Sequence, residues 1–263
     1  MTKPQEFFQK LKLPHPDSHK GQNGKLLIIG GSELFHAASK WSLDIASKIV
    51  DMVFYSSVPE NNELIKIAKQ NFWNGIVVPR KDLTKYIEEA DCILIGPGMD
   101  RSIETETITN NLLKKYQSKK WVIDAGALQM LNPKLLTKTH IISPHHQELV
   151  RLEKNNFSLK DFSGTVLLKG KTDQILTPTE QIKVTGGNAG MTKGGTGDVL
   201  AGLVAALYCK NSAITSATVG SFICKKAGDQ LFEKVGPYFN ASDLVEEIPR
   251  VLWQQQTAKK VNN

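Results

Sequence analysis

Asp91-Cys92-Ile93-Leu94-Ile95-Gly96-Pro97-Gly98 is an apolar run that stops on a glycine-rich turn. A strand with one wet face alternates apolar and polar residues, whereas a strand apolar throughout is covered on both faces. Such strands belong to parallel sheets with helices above and below. Working outward, the pattern recurs in Lys25–Ile29, which runs into Gly30-Gly31-Ser32, and in residues 52–57, 75–78, 121–124 and 140–143. Residues 164–169 add a seventh strand. Between the strands lie segments with helical spacing. Residues 38–50 place Trp41, Ile45 and Ile49 on one stripe, and residues 102–116 carry Ile108, Leu112 and Leu113. The repeated strand–helix–strand order predicts an α/β fold, a doubly wound, mainly parallel sheet flanked by helices.

After residue 169 the order changes. Residues 174–177 and 181–185 read as a β-hairpin with Pro178-Thr179-Glu180 near its turn. Three C-terminal helices follow, over Thr196–Tyr208, 214–232 and 242–253. Ser242 and Asp243, followed by Glu246, suit the start of the last one. The polar tail, residues 254–263, is expected to fray. No repeat, low-complexity linker or shift in composition marks a second domain, so residues 1–263 are read as a single domain.

Composition narrows the function classes. Hydrophobic residues make up 40% and charged residues 22%, enough to bury a core and too apolar for disorder. The net charge of +7 comes from 33 basic and 26 acidic residues. No basic block is interleaved with aromatics, so no nucleic-acid partner is expected, and the excess charge suits anionic ligands instead. Lys114-Lys115 and Lys119-Lys120 flank a predicted helix end, where positive charge complements the dipole. Cys92, Cys209 and Cys224 have no metal-ligand spacing and read as core thiols of a reducing compartment. The six histidines are scattered. The N-terminus lacks an apolar signal core, and no stretch approaches the roughly 20 apolar residues that cross a bilayer. A cytoplasmic protein with no membrane partner is expected.

In open α/β sheets, ligands collect beyond the carboxyl ends of the strands. Five predicted strands end there in small or polar residues: Gly30-Gly31-Ser32, Gly96-Pro97-Gly98, Asp124-Ala125-Gly126, Ser143-Pro144-His145 and Lys169-Gly170. Each alone reads as an ordinary turn. Together they describe a floor with little side-chain bulk, although neither the Rossmann fingerprint nor the Walker loop is complete. The strongest signal is Gly186-Gly187-Asn188-Ala189-Gly190-Met191-Thr192-Lys193-Gly194-Gly195-Thr196-Gly197-Asp198, followed at once by the apolar helix Val199-Leu200-Ala201-Gly202-Leu203. Inward-turned amides and a free first helical turn make an anion site, able to hold a phosphoryl group and its growing charge. Asp198 reads two ways. It is an N-terminal cap, or it is the general base that takes a proton from an attacking hydroxyl. The helix dipole is expected to keep it ionised.

At this turn the chain resembles the ribokinase-like superfamily, and more closely the NAD(P)H-hydrate dehydratases. The resemblance runs from about residue 19 to residue 249. It includes His19-Lys20-Gly21, Gly24-Lys25, Gly30-Gly31-Ser32, Phe35-His36-Ala37-Ala38, Gly96-Pro97-Gly98, Asp124-Ala125, Ser143-Pro144-His145-His146-Gln147-Glu148 and Leu168-Lys169-Gly170. It continues through Gly187-Asn188-Ala189-Gly190-Met191, Asp198-Val199-Leu200-Ala201-Gly202, Ala227-Gly228-Asp229 and Ala241-Ser242-Asp243-Leu244.

The resemblance implies a ribokinase-like fold and a hydro-lyase of metabolite repair. The 6-hydroxyl of NADH hydrate or NADPH hydrate takes a phosphoryl group from ADP or ATP, with Mg²⁺ screening the nucleotide. Phosphate then leaves and the ring double bond returns. By position Asp198 is the base, and Gly195, Thr196 and Gly197 line the anion hole. Ala38, Gly98, His145 and Asp198 meet the hydrate. Lys169, Gly170, Lys171, Thr172, Asp173 and Gly197 meet the nucleotide, and Glu148 lies near the phosphates or their metal. Plainer readings stand beside these: His145 as a capped turn, Glu148 as a first-turn acid and Lys169 as a strand-end lysine reaching water.

The sequence departs from the pattern of the relatives at Ala37, Gly126, His146, Lys193 and the loop Lys171-Thr172-Asp173. Gly126 removes a polar or metal contact, and Lys193 either adds a phosphate contact or points to solvent. The resemblance also implies a homo-oligomer. No epimerase domain fits before Lys25, so a separate epimerase protein is the expected partner. Two rival readings are a vitamin-precursor or sugar kinase of the same superfamily and a non-enzymatic nucleotide or nucleic-acid binder.

Overall fold

The apolar run at residues 91–95 lies in the middle of the sheet, where its composition requires it to be. The computed structural model describes residues 3–68 and 74–257. Nine strands are found among them: β1 Lys25–Ile29, β2 Met52–Ser56, β3 Ile76–Val77, β4 Cys92–Ile95, β5 Trp121–Ile123, β6 His140–Ile142, β7 Thr165–Leu168, β8 Asp173–Leu176 and β9 Gln181–Val184. They form one sheet in the order β3-β2-β1-β4-β5-β6-β7-β8-β9. Neighbours from β3 to β7 are parallel. Strands β8 and β9 are antiparallel, as the hairpin reading requires.

The helices are α1 Ala37–Ser47, α2 Pro59–Ala68, α3 Leu83–Glu89, α4 Ile103–Lys115, α5 Ala125–Met130, α6 His146–Lys154, α7 Thr196–Tyr208, α8 Ala213–Val235 and α9 Ala241–Thr257. Successive strand residues face opposite sides of the sheet. Leu26, Ile28, Cys92 and Leu94 pack with α1, α7, α8 and α9. Leu27, Ile29, Ile93 and Ile95 pack with α3, α4, α5 and α6. Both faces are dry, so no polar residue interrupts these strands. Each fully buried Leu or Ile contributes roughly 1.5–3 kcal/mol. Strand β9, at the edge, alternates instead: Ile182 and Val184 are buried while Gln181 and Lys183 are exposed.

Several boundaries differ from the sequence reading. Strands β2, β5, β6 and β7 stop one residue early, where the chain turns towards the ligand side. The last helix starts at Ala241, and its cap is Asn240 rather than Ser242 or Asp243. Asn240 Oδ1 accepts from the amides of Ser242 (2.7 Å) and Asp243 (3.3 Å), and Asp243 Oδ2 accepts from the Asn240 amide (2.8 Å). Asp243 thus closes the box that Glu246 was expected to close. The helix continues to Thr257 rather than fraying from residue 254, and residues 258–263 lie outside the described residues.

The second lysine pair does serve helix ends, though not the end beside it. Lys119 Nζ donates to the carbonyls of Glu88 (2.7 Å) and Ala90 (3.0 Å) at the end of α3. Lys120 Nζ donates to the Tyr208 carbonyl (2.9 Å) at the end of α7. The three cysteines are buried and free. No helix among the described residues is long and apolar enough to cross a membrane.

Candidate active site

Strands β3-β2-β1 wind one way from β1 and β4-β5-β6 the other. The order reverses between β1 and β4, which opens a crevice beyond their carboxyl ends. The turns after both strands are glycine-rich and knit together: the Gly31 amide donates to the Pro97 carbonyl at 2.8 Å. Above them lies a cavity of about 490 Å³, lined by Phe35, Ala38, Gly98 to Arg101, Ala125, Gly126, Gln129 and Asp198. A second cavity, of about 520 Å³, is lined by Lys169, Gly170, Lys171, Asp173, the 186–192 loop, Thr196, Gly197, Leu200, Cys224 and Lys225. The two meet at the start of α7, where Gly197 faces one cavity and Asp198 the other.

The glycine turn is built to present that start. Gly195 has φ +96°, and a Cβ on it would run into the Trp41 ring and Ala241. Thr196 Oγ1 donates to the carbonyls of Met191 (2.8 Å) and Lys193 (3.1 Å), so its hydroxyl folds the turn. Among the described residues, no acceptor takes the amides of Gly195 and Gly197. These donors are free for an anion. Gly195→Ala should destabilise the fold by about 1–3 kcal/mol, read as a lower denaturant midpoint at unchanged m value.

The motif Ala227-Gly228-Asp229 holds the other end of the turn. Asp229 accepts from the Gly187 amide (3.1 Å) and Asn188 Nδ2 (3.1 Å), and Asn188 Nδ2 also donates to the Gly228 carbonyl (2.9 Å). Lys225, one turn earlier on α8, was missed in the sequence. It donates to the carbonyls of Gly170 (3.0 Å), Lys171 (3.2 Å) and Gly186 (3.4 Å) and lies 3.4 Å from Asp173. Asp173 in turn accepts from the Gly170 amide (2.9 Å) and from Ser221 Oγ (2.7 Å). Ser221, Lys225 and Asp229 recur at i, i+4 and i+8 on a helix otherwise rich in buried small residues, and that polar stripe was a readable signal.

Asp198 is only partly exposed, and its pKa is pushed up to about 7. Burial is the larger cause and the nearby Asp124 carboxylate adds to it, while Lys169 pulls the other way. This corrects the expectation that the helix dipole keeps Asp198 fully ionised. Burial opposes charge on Lys169, yet Asp124 and Glu148 outweigh it and raise its pKa.

The remaining expectations divide. Ala38, Gly98 and Asp198 line one cavity together, and Lys169, Gly170, Lys171, Asp173 and Gly197 line the other. Thr172 is not in that lining. His145 lies outside the smaller cavity's lining as well. It caps α6, its Nδ1 accepting from the Glu148 amide (3.2 Å) while Glu148 Oε2 accepts from the His145 amide (2.9 Å). The cap uses Nδ1 and the amide of His145, and the side chain stays half-exposed. Glu148 Oε1 is also taken, by Gln129 Nε2 at 2.9 Å. Each Glu148 oxygen accepts one of these bonds and keeps a further lone pair. No group of three His, Cys, Asp or Glu side chains suited to a metal occurs among the described residues.

Two departures acquire physical reasons. The Lys193 ammonium donates to the carbonyls of Phe239 (2.6 Å) and Pro237 and clasps the turn to the α8–α9 connection. A Cβ on Gly126 would strike the backbone of Met99, so a larger residue there needs a different path for the 99–100 turn.

A family model described as NAD(P)H-hydrate dehydratase matches residues 26–250. The chain belongs to the NAD(P)H-hydrate dehydratase family. It is 38% identical over 253 residues to the bifunctional NAD(P)H-hydrate repair enzyme of Methanocaldococcus jannaschii, covering 93% of this chain and 51% of that one. It is 32% identical over 263 residues to the ADP-dependent (S)-NAD(P)H-hydrate dehydratase of Nitrosopumilus maritimus, covering 89% of this chain and 90% of that one. The chain spans about half the length of the bifunctional relatives it matches. Its shape is similar to that of the ADP/ATP-dependent NAD(P)H-hydrate dehydratase of Bacillus subtilis co-crystallised with ATP/Mg²⁺. The TM-score is 0.77 at 19% identity, over 96% of this chain and 97% of that one. The ribokinase-like, doubly wound α/β class expected from the sequence is the one observed.

Proposed function

We propose that the protein repairs hydrated NADH or NADPH by nucleotide-dependent dehydration, and that its 263 residues form one dehydratase domain. The observation that carries this reading is the meeting of two cavities at Gly197 and Asp198. A phosphoryl donor in the larger cavity and a hydroxyl in the smaller one face each other across the first turn of α7. The nucleotide is ADP or ATP, in line with the names of the relatives.

The hydroxyl oxygen of the hydrate attacks the terminal phosphorus. A new O–P bond forms, the bridging P–O bond breaks, and the shortened nucleotide leaves with that electron pair. The hydroxyl proton passes to the Asp198 carboxylate, whose pKa near neutrality suits a base that must also release the proton afterwards. The amides of Gly195 and Gly197 receive the charge on the phosphoryl oxygens. Phosphate then departs from C6 with the C–O electrons, C5 loses a proton, and the ring double bond re-forms. Mg²⁺ enters this reading as the counter-ion of the nucleotide.

The test is purified protein with hydrated NADH, Mg²⁺ and either ADP or ATP in parallel. The expected result is regenerated NADH and free phosphate in equal amounts. A stable phosphorylated acceptor would move the protein to the small-molecule kinases. Salt-dependent retention on DNA with no nucleotide turnover would make it a binding protein.

A further inference from the structure

Three neighbouring strand ends converge on one oxygen atom. Asp124 follows β5, is 2% exposed, and its Oδ1 lies 2.6 Å from the ammonium of Lys169, which follows β7. The same Oδ1 accepts from Ser143 Oγ, after β6, at 3.0 Å. A Cβ built on Gly197 would sit 3.9 Å from Lys169 Nζ, so this ammonium reaches the first turn of α7. Ala125 and Gly126, next to Asp124, line the smaller cavity, and Lys169 lines the larger. The ion pair therefore stands in the wall between the two cavities, beside the free amides of the anion hole.

A buried ion pair is a poor way to stabilise a fold, since apolar residues of similar size do as well or better. What such a pair supplies is a charge at a defined place. A lysine ammonium is a compact point charge on a flexible stem, and without a partner burial would drive it towards the neutral form. Asp124 removes both problems at once, and Ser143 orients the carboxylate that does so.

We propose that Asp124 is a positioning residue: it fixes the Lys169 ammonium at the mouth of the anion hole, where that charge meets the phosphoryl group in transfer. The inference rests on reading the start of α7 as the phosphoryl site.

The experiment uses the full chain saturated with AMP, which leaves the transferred-phosphoryl position open whichever donor is used, and titrates inorganic phosphate. In Asp124→Asn the phosphate affinity should fall about tenfold, with AMP affinity within about threefold of the parent. Ser143→Ala, a milder change that keeps the ion pair, should lower phosphate affinity about two- to threefold. With hydrated NADH, Asp124→Asn should lower kcat and leave the nucleotide KM nearly unchanged, a split that a loss of packing alone does not produce. Equal phosphate affinity in the parent and the folded variants would overturn the proposal. If Asp124→Asn fails to fold, Ser143→Ala decides. A parent protein that does not regenerate NADH rejects the dehydratase reading separately, because the phosphate titration needs no hydrate.

Discussion

Asp198→Asn lowers turnover about 10²–10⁴-fold while the nucleotide Kd stays within about a factor of three; this is the largest effect expected of any single change. The amide keeps the shape of the side chain and cannot accept the hydroxyl proton. The amides that hold the phosphates belong to the backbone and remain. The parent enzyme's kcat/KM should rise with pH on the acid side, with a midpoint near 7, because only the ionised carboxylate is a base.

Stability should run the opposite way. The folded pKa of Asp198 lies above the ordinary value of 3.8, so the folded state holds this proton more tightly than the unfolded chain does. The contribution is complete below about pH 4 and lost as pH rises to about 7. Asp198→Asn removes that loss, and the variant should be more stable than its parent at pH 8 and not at pH 4. Urea melts at the two pH values measure it. Equal turnover in variant and parent would end the assignment of Asp198 as base.

Lys169→Met is expected to cost about 3–5 kcal/mol of folding stability, because it leaves the buried Asp124 carboxylate charged and without its partner. The double change Asp124→Asn with Lys169→Met should recover a large part of that loss. The single variant should also shift the acid limb of the activity profile upwards, since Lys169 lowers the pKa of Asp198. A lysine that merely carried its charge to water would give neither result. Denaturant midpoints of the two single variants, the double variant and the parent form the cycle that measures the coupling.

The fold was legible wherever burial alone decided a residue. Leu94 and Ile95 face opposite helical layers, and a run such as Cys92–Ile95 has no other place to go than the sheet interior. The glycine turn was legible for a similar reason, since its backbone path tolerates little else at Gly195. What escaped were side chains whose role the residue type alone does not decide. His145 has the same residue type whether it touches a ligand or caps α6. Lys193 looks like a phosphate lysine until the carbonyls of Pro237 and Phe239 are brought beside it. Asn240 took over the cap from Ser242 through a one-turn contest that composition does not decide. Asp124, read only as part of a turn, becomes central once β5, β6 and β7 are laid in register.

Ser221, Lys225 and Asp229 tie two distant segments, residues 170–173 and residue 187, to one face of α8. The larger cavity consequently has no independent rigidity of its own. Its walls open when α8 opens, as one cooperative unit. Hydrogen exchange at the amides of Gly170 and Gly187 should therefore follow the slow rhythm of that helix, whereas the crevice over β1 and β4 inherits the persistence of the sheet.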